Sequence, residues 1–201
     1  LIVCPACGHW FWIEDFVEPF VSEQKPDVFY TWNNWRFYGV KFGSNEGKTA
    51  LIRHYGDFLA KVKMDEEKEL YIRRLLWWAY NDLVRDRYQA RLKYLFSGKM
   101  SFGVWIKNRK KIVWGIRFFK SVRAEYIKNL KRLNDLLDGR YAPSDERYEA
   151  ANLERIEILR EMGCFDEAAV MLAAIPRRTH YISNIAERVK KKNFWPFLVT
   201  G

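Results

Sequence analysis

From about Thr49 onward the apolar residues of this 201-residue chain recur at intervals of three and four, a period that specifies helix. Leu51, Ile52, Tyr55, Leu59 and Val62 make the first run, and Leu70, Ile72, Leu75, Leu76, Trp77, Trp78, Leu83 and Val84 the second. Asp65 stands where the second helix needs an N-cap, with Lys68 where a capping box has Glu. Before Thr49 the period is missing. Pro5, Pro19 and Pro26 and Gly8, Gly39, Gly43 and Gly47 punctuate a stretch rich in Trp and Phe that reads as short strands and turns.

Gly98, Gly103 and Gly115 interrupt the pattern between Ser97 and Gly115, so this stretch is expected to be a loop or short hairpin. Helix is expected to resume near Phe118 and to run through Val122, Tyr126, Leu130, Leu133 and Leu137 to Gly139, which suits a C′ position. Pro143-Ser144-Asp145 opens the next helix, and the remainder reads helix, Gly163, helix, Pro176, helix, ending near Trp195-Pro196. Leu153, Ile156, Leu159 and Met162 face Phe165, Ala168, Ala169 and Leu172 across the Gly163 turn, an antiparallel helical hairpin. Residues 159 to 168 resemble the turn of a tetratricopeptide unit, and no second copy follows at a period near ~34 residues.

Charge is distributed unevenly. The chain is +10, but Arg85 to Leu133 holds 15 Lys and Arg against Asp86 and Glu125, so this segment is +13 and the rest is −3. The cations are interleaved with Tyr88, Tyr94, Phe96, Phe102, Trp105, Trp114, Phe118, Phe119 and Tyr126, and are densest at Lys107, Arg109, Lys110 and Lys111. Cations that neutralise phosphate and aromatic faces that stack on bases are what single-strand binding requires. The plainer reading is a solvated charged face over an aromatic core. A third is docking on anionic lipid through Trp105, Ile106, Ile112, Val113 and Trp114. Arg188, Lys190, Lys191 and Lys192 form a second cluster, placed to complement a helix C-terminus.

No apolar run approaches the ~18 residues of a membrane-spanning helix. Three cysteines, at 4, 7 and 164, make no disulfide framework and suit a reducing compartment, so a cytoplasmic location is expected. Cys4-Pro5-Ala6-Cys7-Gly8 has the spacing of a zinc knuckle, in which two thiolates bind a tetrahedral Zn²⁺. A structural zinc takes four ligands. His9 is badly placed as a third, Cys164 suits a small apolar helix position, and the first residue is Leu; the remaining ligands are expected upstream of Leu1. The alternative is a chance thiol pair.

Four segments together carry a family resemblance: Cys4 to Trp12 (CPACGHWFW), Leu75 to Asp82 (LLWWAYND), Asn129 to Leu137 (NLKRLNDLL) and Glu157 to Ala168 (EILREMGCFDEA). The chain resembles a group of uncharacterised bacterial proteins with two CPxCG knuckles, FW after the second, and a helical region bearing WW-x-x-ND and RELGxFDEA. The resemblance implies that Cys4 and Cys7 are the second pair, and it implies no activity. The basic stretch at 97 to 117 and Cys164 depart from the pattern.

Other constellations are weaker. Gly43 to Thr49 resembles a phosphate loop but has three residues between its glycines where a Walker loop has ~four, so it reads as a helix start. Trp78, Asn81 and Asp82 could line a small pocket, though a core Trp pair with Asp82 bound to Arg85 or Arg74 is the simpler expectation. His9, His54 and His180 are scattered, and Glu66, Glu67, Asp145, Glu146, Glu154 and Glu157 read as ordinary exposed helical charges.

The expectation is a mainly α protein. A partial zinc-ribbon and aromatic-rich segment (1–48) packs on a helical domain (49–201) that carries a basic insertion at about 97–117 and ends in a tetratricopeptide-like hairpin. The expected role is a non-catalytic interaction or adaptor protein, with Cys4 and Cys7 as zinc ligands and a protein partner on the helical surface. The alternative is nucleic-acid binding through 85–133, using Trp105, Lys107, Arg109, Lys110, Lys111 and Trp114.

Overall fold

The computed structural model describes residues 44–85, 92–96, 101–175 and 179–196, together with the backbone of four two-residue strands. Within these residues the protein is mainly helical. Strand β1 (Ile2–Val3) pairs antiparallel with β2 (Trp10–Phe11), Val3 opposite Trp10, and β3 (Arg36–Phe37) pairs likewise with β4 (Val40–Lys41). Cys4, Cys7 and His9 lie outside the described residues.

Helix α1 (Asn45–Lys61) begins at Ser44, whose hydroxyl accepts from the Gly47 N–H at 3.0 Å. The Lys48 ammonium reaches the Asp82 carbonyl oxygen, so the phosphate-loop look-alike provides a helix cap and an inter-helix tie. Helix α2 (Glu66–Asp82) is capped by Asp65, which accepts from the Lys68 N–H at 2.8 Å as expected. After the four-residue α3 (Leu92–Leu95) come α4 (Phe102–Ser121) and α5 (Arg123–Leu137), the latter closed by Gly139 at φ 64°.

Helix α4 corrects the expectation of a loop or hairpin between Ser97 and Gly115. Gly115 does not break this helix; it allows a close approach. A Cβ there would stand 2.5 Å from the Leu83 carbonyl oxygen at the end of α2, a gap only glycine tolerates. Trp105, Ile112 and Phe119 continue the same buried face at helical spacing.

Helices α6 (Tyr148–Met162) and α7 (Phe165–Ala173) form the expected hairpin. Gly163, at φ 93°, turns the chain, and the Cys164 N–H donates back to the Leu159 carbonyl at 2.9 Å in a Schellman closure. Ile156, Leu159, Ala168 and Leu172 meet in one core cluster as expected, whereas Ala169 faces solvent. Cys164 is half-buried against this cluster, and burial pushes its thiol pKa up. Helix α8 (His180–Lys190), capped by Thr179, completes it with Ile182, Ile185 and Val189. It stops short of the expected end near Trp195. Lys192 turns the chain at φ 47°, and Trp195 packs against Phe119 with ring centroids 5.7 Å apart.

The helices pack in the order α1, α2, α5, α6, α7, α8, each on the next. One core lies among α1, α2, α5 and the inner face of α6, built on Leu51, Leu76, Tyr126, Leu130, Leu133 and Ile158. Phe119, wedged edge-on against Tyr126 at 4.9 Å, brings α4 into it. Helix α6 is shared by both cores, which explains why its sequence is apolar on two sides.

Candidate functional site

Helix α4 carries Lys107, Arg109, Lys110, Lys111, Arg117 and Lys120 and no Asp or Glu. Its inner face is consumed by packing, so all six cations stand on the outward arc and are exposed. The Asn45 side chain donates to the Lys111 carbonyl at 3.2 Å, tying the middle of α4 to the start of α1. Ile106, Arg109, Lys110, Val113, Trp114 and Arg117 line a shallow groove of about 400 Å³. Trp114 lies nearly parallel to Phe118, centroids 5.5 Å apart, and remains 40% exposed. The groove is thus a small apolar surface between three cations, with an indole at its edge.

The structure divides the residues expected to form a nucleic-acid site. Lys107, Arg109, Lys110, Lys111 and Trp114 share the outward arc of α4. Trp105 does not: it is 5% exposed, with Phe102 stacked on it and the Arg109 guanidinium 5.5 Å from its ring centre, so it offers no face for a base. Ile112 is buried as well, whereas Phe102, Val104 and Ile106 are exposed.

A second polar constellation is buried where α2, α5 and α6 meet. One Glu161 carboxylate oxygen accepts from the Trp77 indole N–H at 2.6 Å, from the Tyr126 hydroxyl and, at 3.4 Å, from the Asn81 amide. The other accepts from Arg160 at 3.1 Å. Arg160 is wholly buried. It also binds Glu157 at 2.6 Å, and its remaining nitrogen donates to the carbonyls of Asn193 and Trp195, the latter at 3.0 Å. The Arg123 guanidinium donates to the Glu161 carbonyl at 2.8 Å and lies over the Phe194 ring at 4.6 Å. Burial pushes the Glu161 carboxyl up, against the pull of Arg160, and pushes the Tyr126 phenol well above its ordinary range.

This network corrects the reading of Glu157 as an exposed helical charge and went unread in the sequence for Glu161, Arg160 and Tyr126. Its signal was present. Trp77 and Asn81 come from the WW-x-x-ND segment and Arg160 and Glu161 from the RELGxFDEA turn, so two of the four segments that carry the resemblance meet in one cluster. The simpler expectation at Trp78, Asn81 and Asp82 holds in part: Asp82 pairs with Arg85 and Trp77 is core, but Trp78 is not, and the alternative of a small pocket is not formed by these three residues. Asn81 points into the network, Trp78 is half-exposed, and Asp82 sits at the surface 3.1 Å from Arg85. Arg74 pairs with Glu154 through two hydrogen bonds of 2.7 and 2.6 Å.

Among the described residues no three His, Cys, Asp or Glu side chains gather into a metal-binding set, and no helix is long and apolar enough to cross a membrane. No protein-family model matches the chain, and neither does a curated protein or a solved structure.

Proposed function

We propose that this is a non-catalytic interaction protein whose helical body fixes α4, which in turn presents a cationic, partly apolar face to an anionic macromolecule. The observation that carries the reading is the composition of one helix, with six cations, no acid and all six charges exposed. Such a surface concentrates polyanions and gains from counterion release when it binds them. The test is retention on immobilised heparin. The protein is expected to bind at low salt and elute as salt rises, and Arg109→Glu with Lys110→Glu and Lys111→Glu is expected to abolish retention while leaving the helical circular dichroism unchanged. Wild-type protein that flows through at low salt refutes the reading.

A second reading, nucleic-acid binding through residues 85–133, draws on Trp114, whose exposed edge lies between Lys110 and Arg117 on the groove. The adaptor reading also takes in the N-terminal segment. The antiparallel pairing of β1 and β2 on either side of Cys4 and Cys7 supports a knuckle in which both thiolates bind Zn²⁺ and a second pair of ligands lies elsewhere. Elemental analysis of a form extended upstream tests this, with one zinc per chain expected. The Gly163 hairpin supports a tetratricopeptide-like unit with a protein-binding face.

A further inference from the structure

We propose that the anionic partner of α4 is the surface of a lipid bilayer, which the helix enters by its first turn and a half. This rests on the reading of α4 as an anion-binding face and names what that face binds. The order of residues along the helix carries the argument. Phe102, Val104 and Ile106 are 61%, 50% and 37% exposed, and no charge occurs among residues 102–106. Lys107, Arg109, Lys110 and Lys111 follow at once, so an apolar tip is succeeded by a collar of four cations. At ~1.5 Å of rise per residue the tip spans about 6 Å, which matches the depth to which interfacial helices sink, and the collar then stands at headgroup phosphate level. Trp114 lies three residues beyond Lys111, just under one turn, with Lys110 and Arg117 beside it on the groove.

Nucleic acid fits this tip less well. Aliphatic side chains have no π-face to offer a base and gain nothing from phosphate, whereas Val104 and Ile106 gain from leaving water for the acyl boundary. Phe102 and Ile106 are one turn apart on one flank and Val104 lies on the other, so exposed apolar groups border the tip on two sides. A bilayer covers both flanks at once; a single partner helix or strand covers one. Leu92 and Phe96, at 62% and 81% exposure in the preceding short helix and turn, add apolar surface to the same cationic segment.

The experiment is vesicle co-sedimentation of the 201-residue protein with pure phosphatidylcholine and with vesicles about one third phosphatidylglycerol, alongside heparin retention and binding of a random single-stranded oligonucleotide. Binding is expected to the mixed vesicles and not to the neutral ones. Phe102→Ser with Val104→Ser and Ile106→Ser should weaken partitioning by about tenfold or more while leaving heparin retention and the helical circular dichroism unchanged, the latter showing that the variant is folded. A triple variant that partitions like wild type overturns the proposal. So does wild-type protein that binds the oligonucleotide and heparin but not the mixed vesicles, an outcome that assigns α4 to nucleic acid. If heparin too is not bound, the underlying reading of α4 fails with it.

Discussion

The indole of Trp77 donates to the Glu161 carboxylate at 2.6 Å, joining α2 to α6 across 84 positions of sequence. Tyr126 from α5 reaches the same oxygen, so one carboxylate oxygen holds three helices in register. Glu161→Ala leaves the buried Trp77 N–H without its acceptor and takes one partner each from Tyr126 and Arg160, which keep Asn81 and Glu157. It should cost about 1–3 kcal/mol, read from the urea midpoint, because a buried donor is left unsatisfied where α2, α5 and α6 meet.

Gly115 and Gly56 should respond in opposite senses to the same substitution. Both lie inside helices, where alanine is ordinarily better by up to about 1 kcal/mol. At Gly56 the added methyl meets open space, so Gly56→Ala should stabilise. At Gly115 it meets the Leu83 carbonyl, so Gly115→Ala should force α4 away from α2 and cost about 1–3 kcal/mol. Thermal melts of the pair check the sign; a stabilised Gly115→Ala would contradict the close approach.

Two groups set the acid limb of stability. Burial lowers the His54 pKa from 6.5 to about 4, so between those values the unfolded chain takes up a proton the native state refuses, and stability falls as pH drops through that window. Glu69, bound by Arg132 and Arg73, is held at about 2 against an ordinary 4.5; its contribution is complete above 4.5 and lost as pH falls toward 2. Urea midpoints measured from about pH 3 to 8 should show both losses. His54→Gln should flatten the upper one and Glu69→Gln the lower.

Arg160 anchors the segment after α8 by donating to the carbonyls of Asn193 and Trp195. Arg160→Met should release that segment and loosen the backbone at the already exposed Lys190, Lys191 and Lys192, so that trypsin cuts there. Faster cleavage there, with the helical core still protected, is the expected result of limited proteolysis.

Periodicity carried most of the fold into view, because a helix with one wet face repeats its apolar residues at three and four. The caps at Asp65, Gly139 and Gly163 were legible for the same local reason. What failed was non-local. Gly115 looks like a breaker until Leu83 is known to press against it, and nothing near either residue in sequence announces that contact. Glu157 and Glu161 look like surface charge, since their compensation comes from Arg160 only once helical spacing is combined with burial between two cores. Of the candidate site, the cations of α4 could be read directly from composition. The loss of Trp105 to the interior could not, because period places a residue on a face only after the helix has been recognised.

The Arg160 anchor also bears on synthesis. Arg160 is made 35 residues ahead of Trp195, so at ribosomal rates of ~5–20 residues per second its guanidinium waits about 2–7 s for its last acceptors. During that interval α2, α5 and α6 have all been made, yet a cation at their centre lacks two carbonyls, and the cluster is penalised for closing. Completion of this core is therefore timed by the arrival of Asn193 and Trp195.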